Sequence, residues 1–278
     1  MKISGNGWIV TGGLGGLGRV IATSLLAEGG SVVLWDVLPQ EKGEQLAKQL
    51  NFSGYISVDI TNSESAGAAA KKSLELLSGV KLVGCVHCAG IALRRDWTNK
   101  MADSIAQFKK MLDVNTFGTF VVNAHVSDAI NSQYPDQAEQ LPPRVNEERG
   151  IIVNYASAAA RPYARVLGYG PTKTAVVGIT KSAADYLGPS GIRVCCVSPS
   201  IVATGMNGPH IPYFESQLEK SATFPRRQAQ PSEMWMGTKY LIENEMMNAF
   251  DLHIDGNWHL VSDWAPGTDP RALAPGLE

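Results

Sequence analysis

Short apolar, β-rich runs alternate with longer helical patterns along most of this chain, and that alternation restricts the available folds more than any other feature. Strands are expected at about 7–11 (GWIVT), 31–36 (SVVLWD), 54–58 (GYISV), 81–88 (KLVGCVHC), 150–155 (GIIVNY), 192–198 (IRVCCVS) and 250–255 (FDLHID). Helical periodicity lies between them, near 17–29, 40–50, 62–78, 102–131, 170–187 and 231–244. The strands are near-continuously apolar rather than alternating, so both of their faces need cover, which a parallel sheet between two helical layers provides. Seven such strands imply an α/β, doubly wound Rossmann-type domain with a seven-stranded parallel sheet. The 278 residues suit one unit of this kind, spanning 1–278.

Three segments escape the rhythm. Residues 131–149 (NSQYPDQAEQLPPRVNEER) are polar and proline-rich, an insertion after a long helix. Residues 199–231 are punctuated by Pro and Gly and weakly periodic. Long irregular loops in compact domains are commonly lids or binding loops, and this one follows a strand's carboxyl end, where open α/β sheets bind ligands. It is read as a substrate lid. Residues 260–278 read as an extended C-terminal tail.

Charge and cysteine usage narrow the partners. With 24 basic against 26 acidic residues and a net charge of −2, no basic stripe points to nucleic acid. No apolar run approaches the ~18 residues of a membrane span. The first strand follows the start so closely that no room remains for a signal or transit peptide, and a cytoplasmic protein is expected, with the mitochondrial matrix as the alternative. Cys85 and Cys88 form a C-x-x-C, but on a strand positions three apart face opposite ways, and no second pair stands at zinc-like spacing. With Cys195 and Cys196 they read as buried thiols in a reducing compartment, and no metal site is expected. His125, His253 and His259 are isolated and match no metal spacing.

The first strand runs into Thr11-Gly12-Gly13-Leu14-Gly15-Gly16-Leu17-Gly18 and then a helix. Between strand and helix, glycines permit a tight turn and let the backbone approach a pyrophosphate seated at the helix N-terminus. Strand two ends at Asp36, 18 residues after Gly18, where a carboxylate would accept hydrogen bonds from the adenosine ribose hydroxyls and repel a 2′-phosphate.

Downstream, Asn154-Tyr155-Ala156-Ser157 closes strand five, Tyr169-Gly170-Pro171-Thr172-Lys173 follows, and Asp113-Val114-Asn115 lies on the long helix before them. Asn115, Ser157, Tyr169 and Lys173, in this order and spacing, resemble the catalytic tetrad of the short-chain dehydrogenase/reductase family. The glycine run fits both the T-G-x-x-x-G-x-G of that family's single-domain members and the T-G-x-x-G-x-x-G of its extended relatives, such as sugar-nucleotide epimerases. The length favours the former, because extended members carry a further substrate domain.

The resemblance implies hydride transfer with NAD. Val37 after Asp36, and Gly15 where NADP-dependent relatives place a basic residue, argue for NAD over NADP. A free tyrosine, with pKa near ~10, is too weak a base at neutral pH. A lysine one helical turn away, together with the positive nicotinamide, is expected to lower it. Ser157 would hold the substrate oxygen, Lys173 would also bind the nicotinamide ribose, and Asn115 would help feed protons to Lys173. Pro171 lies in the first helical turn, where it sacrifices no intrahelical bond. Cofactor contacts carried over by the resemblance are Gly12, Gly15, Gly16, Leu17, Gly18, Asp36, Asp59, Ile60, Cys88, Ala89, Gly90, Tyr169, Lys173, Val202 and Thr204.

The chain departs from the family pattern in two places. The usual Asn-Asn-Ala-Gly reads His87-Cys88-Ala89-Gly90, with His87 taken as a structural stand-in for asparagine rather than a proton relay, and a Pro-Gly reads Pro199-Ser200. Arg161 and Arg165 are read as solvated loop residues rather than contacts for an anionic substrate. Trp97, Tyr163 and Phe224 are read as pocket-lining or packing residues. Leu112-Asp113-Val114-Asn115, Pro135-Asp136-Gln137, Arg149-Gly150-Ile151-Ile152 and Phe224-Pro225 resemble the 17β-hydroxysteroid dehydrogenase type 10 branch, also called 3-hydroxyacyl-CoA dehydrogenase type 2. That branch implies a secondary alcohol or ketone substrate: a 3-hydroxyacyl-CoA, a hydroxysteroid or an alicyclic secondary-metabolite alcohol. It also implies a homotetramer, with Asp255-Gly256 in a packing region. The alternatives are an epimerase or dehydratase with tightly held NAD, and a non-catalytic dinucleotide-binding scaffold.

Overall fold

Residues 1–93, 100–134, 147–161, 167–204 and 211–259 are described by a computed structural model, with 211–213 as backbone only. The strands are β1 (Gly7–Thr11), β2 (Ser31–Asp36), β3 (Gly54–Ser57), β4 (Leu82–His87), β5 (Gly150–Tyr155), β6 (Ile192–Pro199) and β7 (Asp251–Ile254). They form one seven-stranded sheet in the order β3-β2-β1-β4-β5-β6-β7, and every pairing is parallel. The order reverses beside β1, so β1 and β4 diverge into crossovers on opposite faces and leave a crevice at their carboxyl ends.

The helices are α1 (Gly16–Ala27), α2 (Gln40–Gln49), α3 (Ser63–Leu76), α4 (Ile105–Met111), α5 (Gly118–Asn131), α6 (Tyr169–Leu187), α7 (Ile211–Ser221) and α8 (Pro231–Glu243). Each face of the sheet has its own core. On one, Trp8, Val10, Val32 and Leu34 meet Ile21 and Leu25 of α1 and Met234 and Leu241 of α8. On the other, Ile9, Val33 and Trp35 meet Ala66 of α3, Val122 and Val126 of α5 and Ala184 of α6. Neighbouring strand residues thus divide between the cores, which is why the strands carry no polar alternation. Cys85 lies in the second core while Cys88 packs on the first, and all four cysteines are free thiols.

Local signals set several helix starts. Asn62 caps α3 by accepting from the Ser65 N–H at 2.9 Å, and Gln230 with Glu233 forms a capping box ahead of Pro231 at the start of α8. Two expectations are corrected. The stretch 102–131 is not one regular helix, because a π-helical turn, Leu112–Phe117, separates α4 from α5 and carries Asn115. The lid is not wholly irregular, since it contains α7. Its residues Leu218 and Ala222 pack with Ala158 and Trp258 in a small core of their own, a tertiary contact invisible to local periodicity. Most of the 131–149 insertion, the 260–278 tail, Trp97, Tyr163 and Arg165 fall outside the described residues. Phe224 lies on the surface, 82% exposed.

Candidate active site

The nucleotide end of the crevice is built from absent side chains. Gly12 has φ 61°, and a Cβ there would stand 3.0 Å from both the Cα and N of Ala89. A Cβ on Gly18 would lie 2.1 Å from the Gly12 carbonyl oxygen, so only glycine lets α1 start this close to β1. Gly15 is the N-cap of α1 and supplies no side-chain acceptor. Among the described residues the first N–H groups, from Gly16, Leu17 and Gly18, therefore have no side-chain cap from Gly15, and they present the positive helix end to an anion. Leu17 turns its side chain onto the core.

Asp36 ends β2 beside this loop. Its Oδ2 accepts from Leu14 N–H at 3.0 Å and its Oδ1 from Val37 N–H at 2.8 Å. The carboxylate is thereby held at the loop's shoulder with lone pairs to spare. Asp59 is tied into the turn before α3, its Oδ1 accepting from the Thr61 N–H at 2.9 Å and hydroxyl at 2.8 Å. Ile60, carried over as a cofactor contact, buries its side chain in the second core, so only its main chain is free for that role. The cradle, the helix end and the carboxylate together fit a dinucleotide.

At the other end, Ser157 leaves β5 in extended backbone, and its Oγ accepts from Ala159 N–H at 3.1 Å to cap the turn Ala158–Ala160. Tyr169 is the first residue of α6. Its phenol lies near enough to Ser157 for that hydroxyl to act on its charge, so the structure brings two of the expected residues together. Burial pushes the Tyr169 phenol above its ordinary pKa, and Ser157 opposes that rise. Lys173 is 6% exposed and donates to the Tyr155 carbonyl at 2.7 Å. Burial lowers its pKa to about 8, while Cys88 and Cys196 pull the other way. The lysine Nζ lies 5.7 Å from the centre of the Tyr169 ring. The ammonium is aimed at a carbonyl and burial dominates the phenol, so Lys173 by itself does not bring about the expected lowering, which called on the positive nicotinamide as well.

Asn115 is fully buried, and its side chain works as a clamp. Oδ1 accepts from Ile91 N–H at 2.8 Å, while Nδ2 donates to the Ile91 carbonyl at 2.8 Å and to Thr172 Oγ1 at 3.1 Å. Both amide hydrogens are spent, so any part in proton supply falls to its main chain. Between these residues runs Cys88-Ala89-Gly90. Cys88 and Ala89 are held by Thr11 through its carbonyl and hydroxyl. A Cβ on Gly90 would sit 3.2 Å from Asn115 Oδ1 and 3.3 Å from Lys173 Nζ.

Val202 pairs in a lone parallel bridge with Ala229, and Thr204 N–H bonds the Val202 carbonyl at 2.7 Å. Both stand on the segment after β6 that leads into the lid. His87 is buried between Thr11 and Thr119, and burial lowers its pKa to about 3, with the Lys173 charge adding to the effect. Arg161 is not simply solvated. It meets Asp255 Oδ2 at 3.6 Å and so links the serine turn to the end of β7.

Sequence reading missed Thr119, Thr172 and Trp258. The first two carry a signal, lying four residues after Asn115 and one before Lys173. Trp258 donates from Nε1 to Ser221 Oγ at 2.9 Å and closes the small core under α7, and nothing local marks it.

Comparison with known proteins shows the family. A short chain dehydrogenase family model matches residues 7–212. The 3-hydroxyacyl-CoA dehydrogenase type-2 of Drosophila melanogaster is 33% identical over 255 residues, covering 89% of this chain and 95% of that protein. Zerumbone synthase of Zingiber zerumbet is 30% identical over 284 residues, covering 94% and 97%. The crystal structure of 3-hydroxyacyl-CoA dehydrogenase type-2 from Mycobacterium avium superposes with a TM-score of 0.76 at 29% identity, covering 93% of this chain and 98% of that one. Sequence and fold thus agree over nearly the full lengths of both partners, and the protein belongs to the short-chain dehydrogenase family, as an oxidoreductase acting on alcohols and ketones.

Proposed function

We propose that the protein is an NAD(H)-dependent dehydrogenase/reductase interconverting a secondary alcohol and its ketone. The observation that carries this reading is that Ser157 at the carboxyl end of β5, Tyr169 at the start of α6 and a buried Lys173 are brought together next to the glycine cradle. When bound, NAD supplies the hydride acceptor, and NADH the donor. Ser157 orients the substrate oxygen, and Tyr169 exchanges the proton with it. Burial alone keeps the phenol protonated, the form needed to donate to a ketone. For alcohol oxidation the phenol must lose its proton, and the Lys173 ammonium and the cationic nicotinamide both favour that charge state. The fixed Asp36 carboxylate supports NAD over NADP.

The substrate classes inferred are a 3-hydroxyacyl-CoA, a hydroxysteroid or an alicyclic alcohol, taken beneath the lid. The relatives' names support the first and the apolar contacts under α7 suit any of them. A homotetramer is inferred from the family resemblance. Four unpaired thiols suit a reducing compartment, the cytoplasm or the mitochondrial matrix. Among the described residues no helix is long and apolar enough to cross a membrane.

The test is a panel of secondary alcohols with NAD, followed by the absorbance of reduced nicotinamide. Tyr169→Phe should lower kcat by roughly 10²–10⁴-fold and leave NAD binding within a few-fold. No turnover across the panel, or an unimpaired variant, would sink the reading.

A further inference from the structure

His87 replaces the asparagine of the family pattern, and its surroundings assign its protons. The Thr119 hydroxyl donates to the Asn115 carbonyl at 2.6 Å. A hydroxyl has one hydrogen, so toward His87 Nε2, 3.0 Å away, Thr119 Oγ1 accepts. Nε2 therefore carries the proton. The neutral ring then presents a bare Nδ1, which accepts from the Thr11 hydroxyl at 2.6 Å. Thr11 Oγ1 in turn accepts from Ala89 N–H at 3.2 Å. One direction runs through every link, from the Ala89 amide through Thr11, His87 and Thr119 to the Asn115 carbonyl. Asn115 continues it, since Nδ2 donates to Thr172 Oγ1 at 3.1 Å and Thr172 donates to the Tyr169 carbonyl at 2.7 Å. The links are buried or partly buried, where chains of this kind reinforce one another and a missing member is costly.

The chain of bonds touches both ends of the segment 88–91, Ala89 through Thr11 and Ile91 through the Asn115 clamp. It also reaches the first turn of α6, where Tyr169 stands. We propose that His87 is a positioning residue of the active site: as a neutral, Nε2-protonated imidazole it sets the direction of the hydrogen-bond chain that holds the 88–91 wall of the dinucleotide crevice in register with Tyr169. Phenylalanine would fill the space without bonding, and asparagine is too short to bridge both threonines as the ring does. An imidazolium would need Thr11 to turn its hydroxyl away, and burial with Lys173 nearby opposes that charge.

The role in the crevice rests on the dinucleotide reading above, whereas the tautomer does not. With only five histidines in the chain, ¹⁵N-histidine NMR of the ligand-free protein can resolve it. A bare Nδ1 and protonated Nε2 for His87, unchanged from pH 7.5 to 5, is the expected result. The opposite tautomer, or an imidazolium in that range, overturns the proposal even if no variant folds. Thr119→Val should lose the tautomer selection and weaken NAD binding, measured by calorimetry, by about tenfold. Thr119→Ser should restore both, a rescue that mere packing would not produce. Adding Thr119→Val to His87→Phe should cost no further affinity, because the chain is already broken. Independent, additive losses, or undiminished NAD affinity in both single variants, would also overturn it. Failure of the unaltered protein to bind NAD would instead defeat the dinucleotide reading and leave the tautomer result standing.

Discussion

Lys173 shows how a side chain can serve the site at the fold's expense. Its ordinary pKa of 10.5 falls to about 8 because burial disfavours the ammonium. A base with a depressed folded pKa carries its full penalty below about pH 8, and the penalty fades as pH rises toward 10.5. The gap corresponds to roughly 3 kcal/mol, less about 1 kcal/mol for the bond to the Tyr155 carbonyl. Lys173→Met should therefore be inactive yet about 2 kcal/mol more stable than the parent at pH 7 in urea titrations, and that advantage should shrink by pH 10. A variant less stable than the parent at pH 7 would show that hydrogen bonding, not burial, dominates. At the same scale Asp36 decides between dinucleotides. Asp36→Ala removes the charge that repels a 2′-phosphate and should shift the NADP-to-NAD ratio of kcat/KM upward by at least tenfold, read from initial rates with each cofactor. An unchanged ratio would locate the preference elsewhere.

The elements around the catalytic residues were unequally legible. β1 and the glycine loop carry local instructions, an apolar run followed by residues whose missing Cβ atoms the turn requires, and they lie where expected. The π-helical turn at Asn115 carries none, because a wider helical turn and a regular one share the same residue pattern. Helix α7 was hidden by Pro and Gly on either side, and what orders it is a contact with Ala158, 60 positions before Leu218. Leu218 is 1% exposed. Leu218→Ala should cost about 2–5 kcal/mol of local stability by leaving a cavity. Since this core is separate from the two that sandwich the sheet, the loss should appear as faster amide exchange in 211–221 and a several-fold higher substrate KM. The melting midpoint should move by only a few degrees. A change confined to the midpoint would mean that α7 unfolds only with the rest of the molecule.

For the whole molecule, the sheet ends at β7, an edge strand whose open backbone groups must be blunted or covered. Phe250 lies just before it with Met246 and Met236 nearby in sequence, all exposed, and Phe117 and Phe120 stand exposed at the start of α5. Exposed apolar side chains of this kind suit burial against further copies of the chain. Light scattering should return four times the 29.8 kDa chain mass, and Phe120→Lys should reduce it to a smaller species. A monomer at micromolar concentration would overturn the proposed tetramer.

The sequence by itself determined the architecture, and by resemblance it pointed to the family. Strand and helix periods differ, so seven strands and their parallel pairing followed from local pattern. The spacing of Asn115, Ser157, Tyr169 and Lys173 followed from the family resemblance. Tertiary structure decided what each group does there. It turned the Ile60 side chain into the core, spent the Asn115 amide on a clamp, and aimed Lys173 at the Tyr155 carbonyl. It also placed His87 between two threonines 108 positions apart, Thr11 and Thr119. These outcomes depend on partners distant in the chain and on the free energy of burying polar groups, and no local pattern records either.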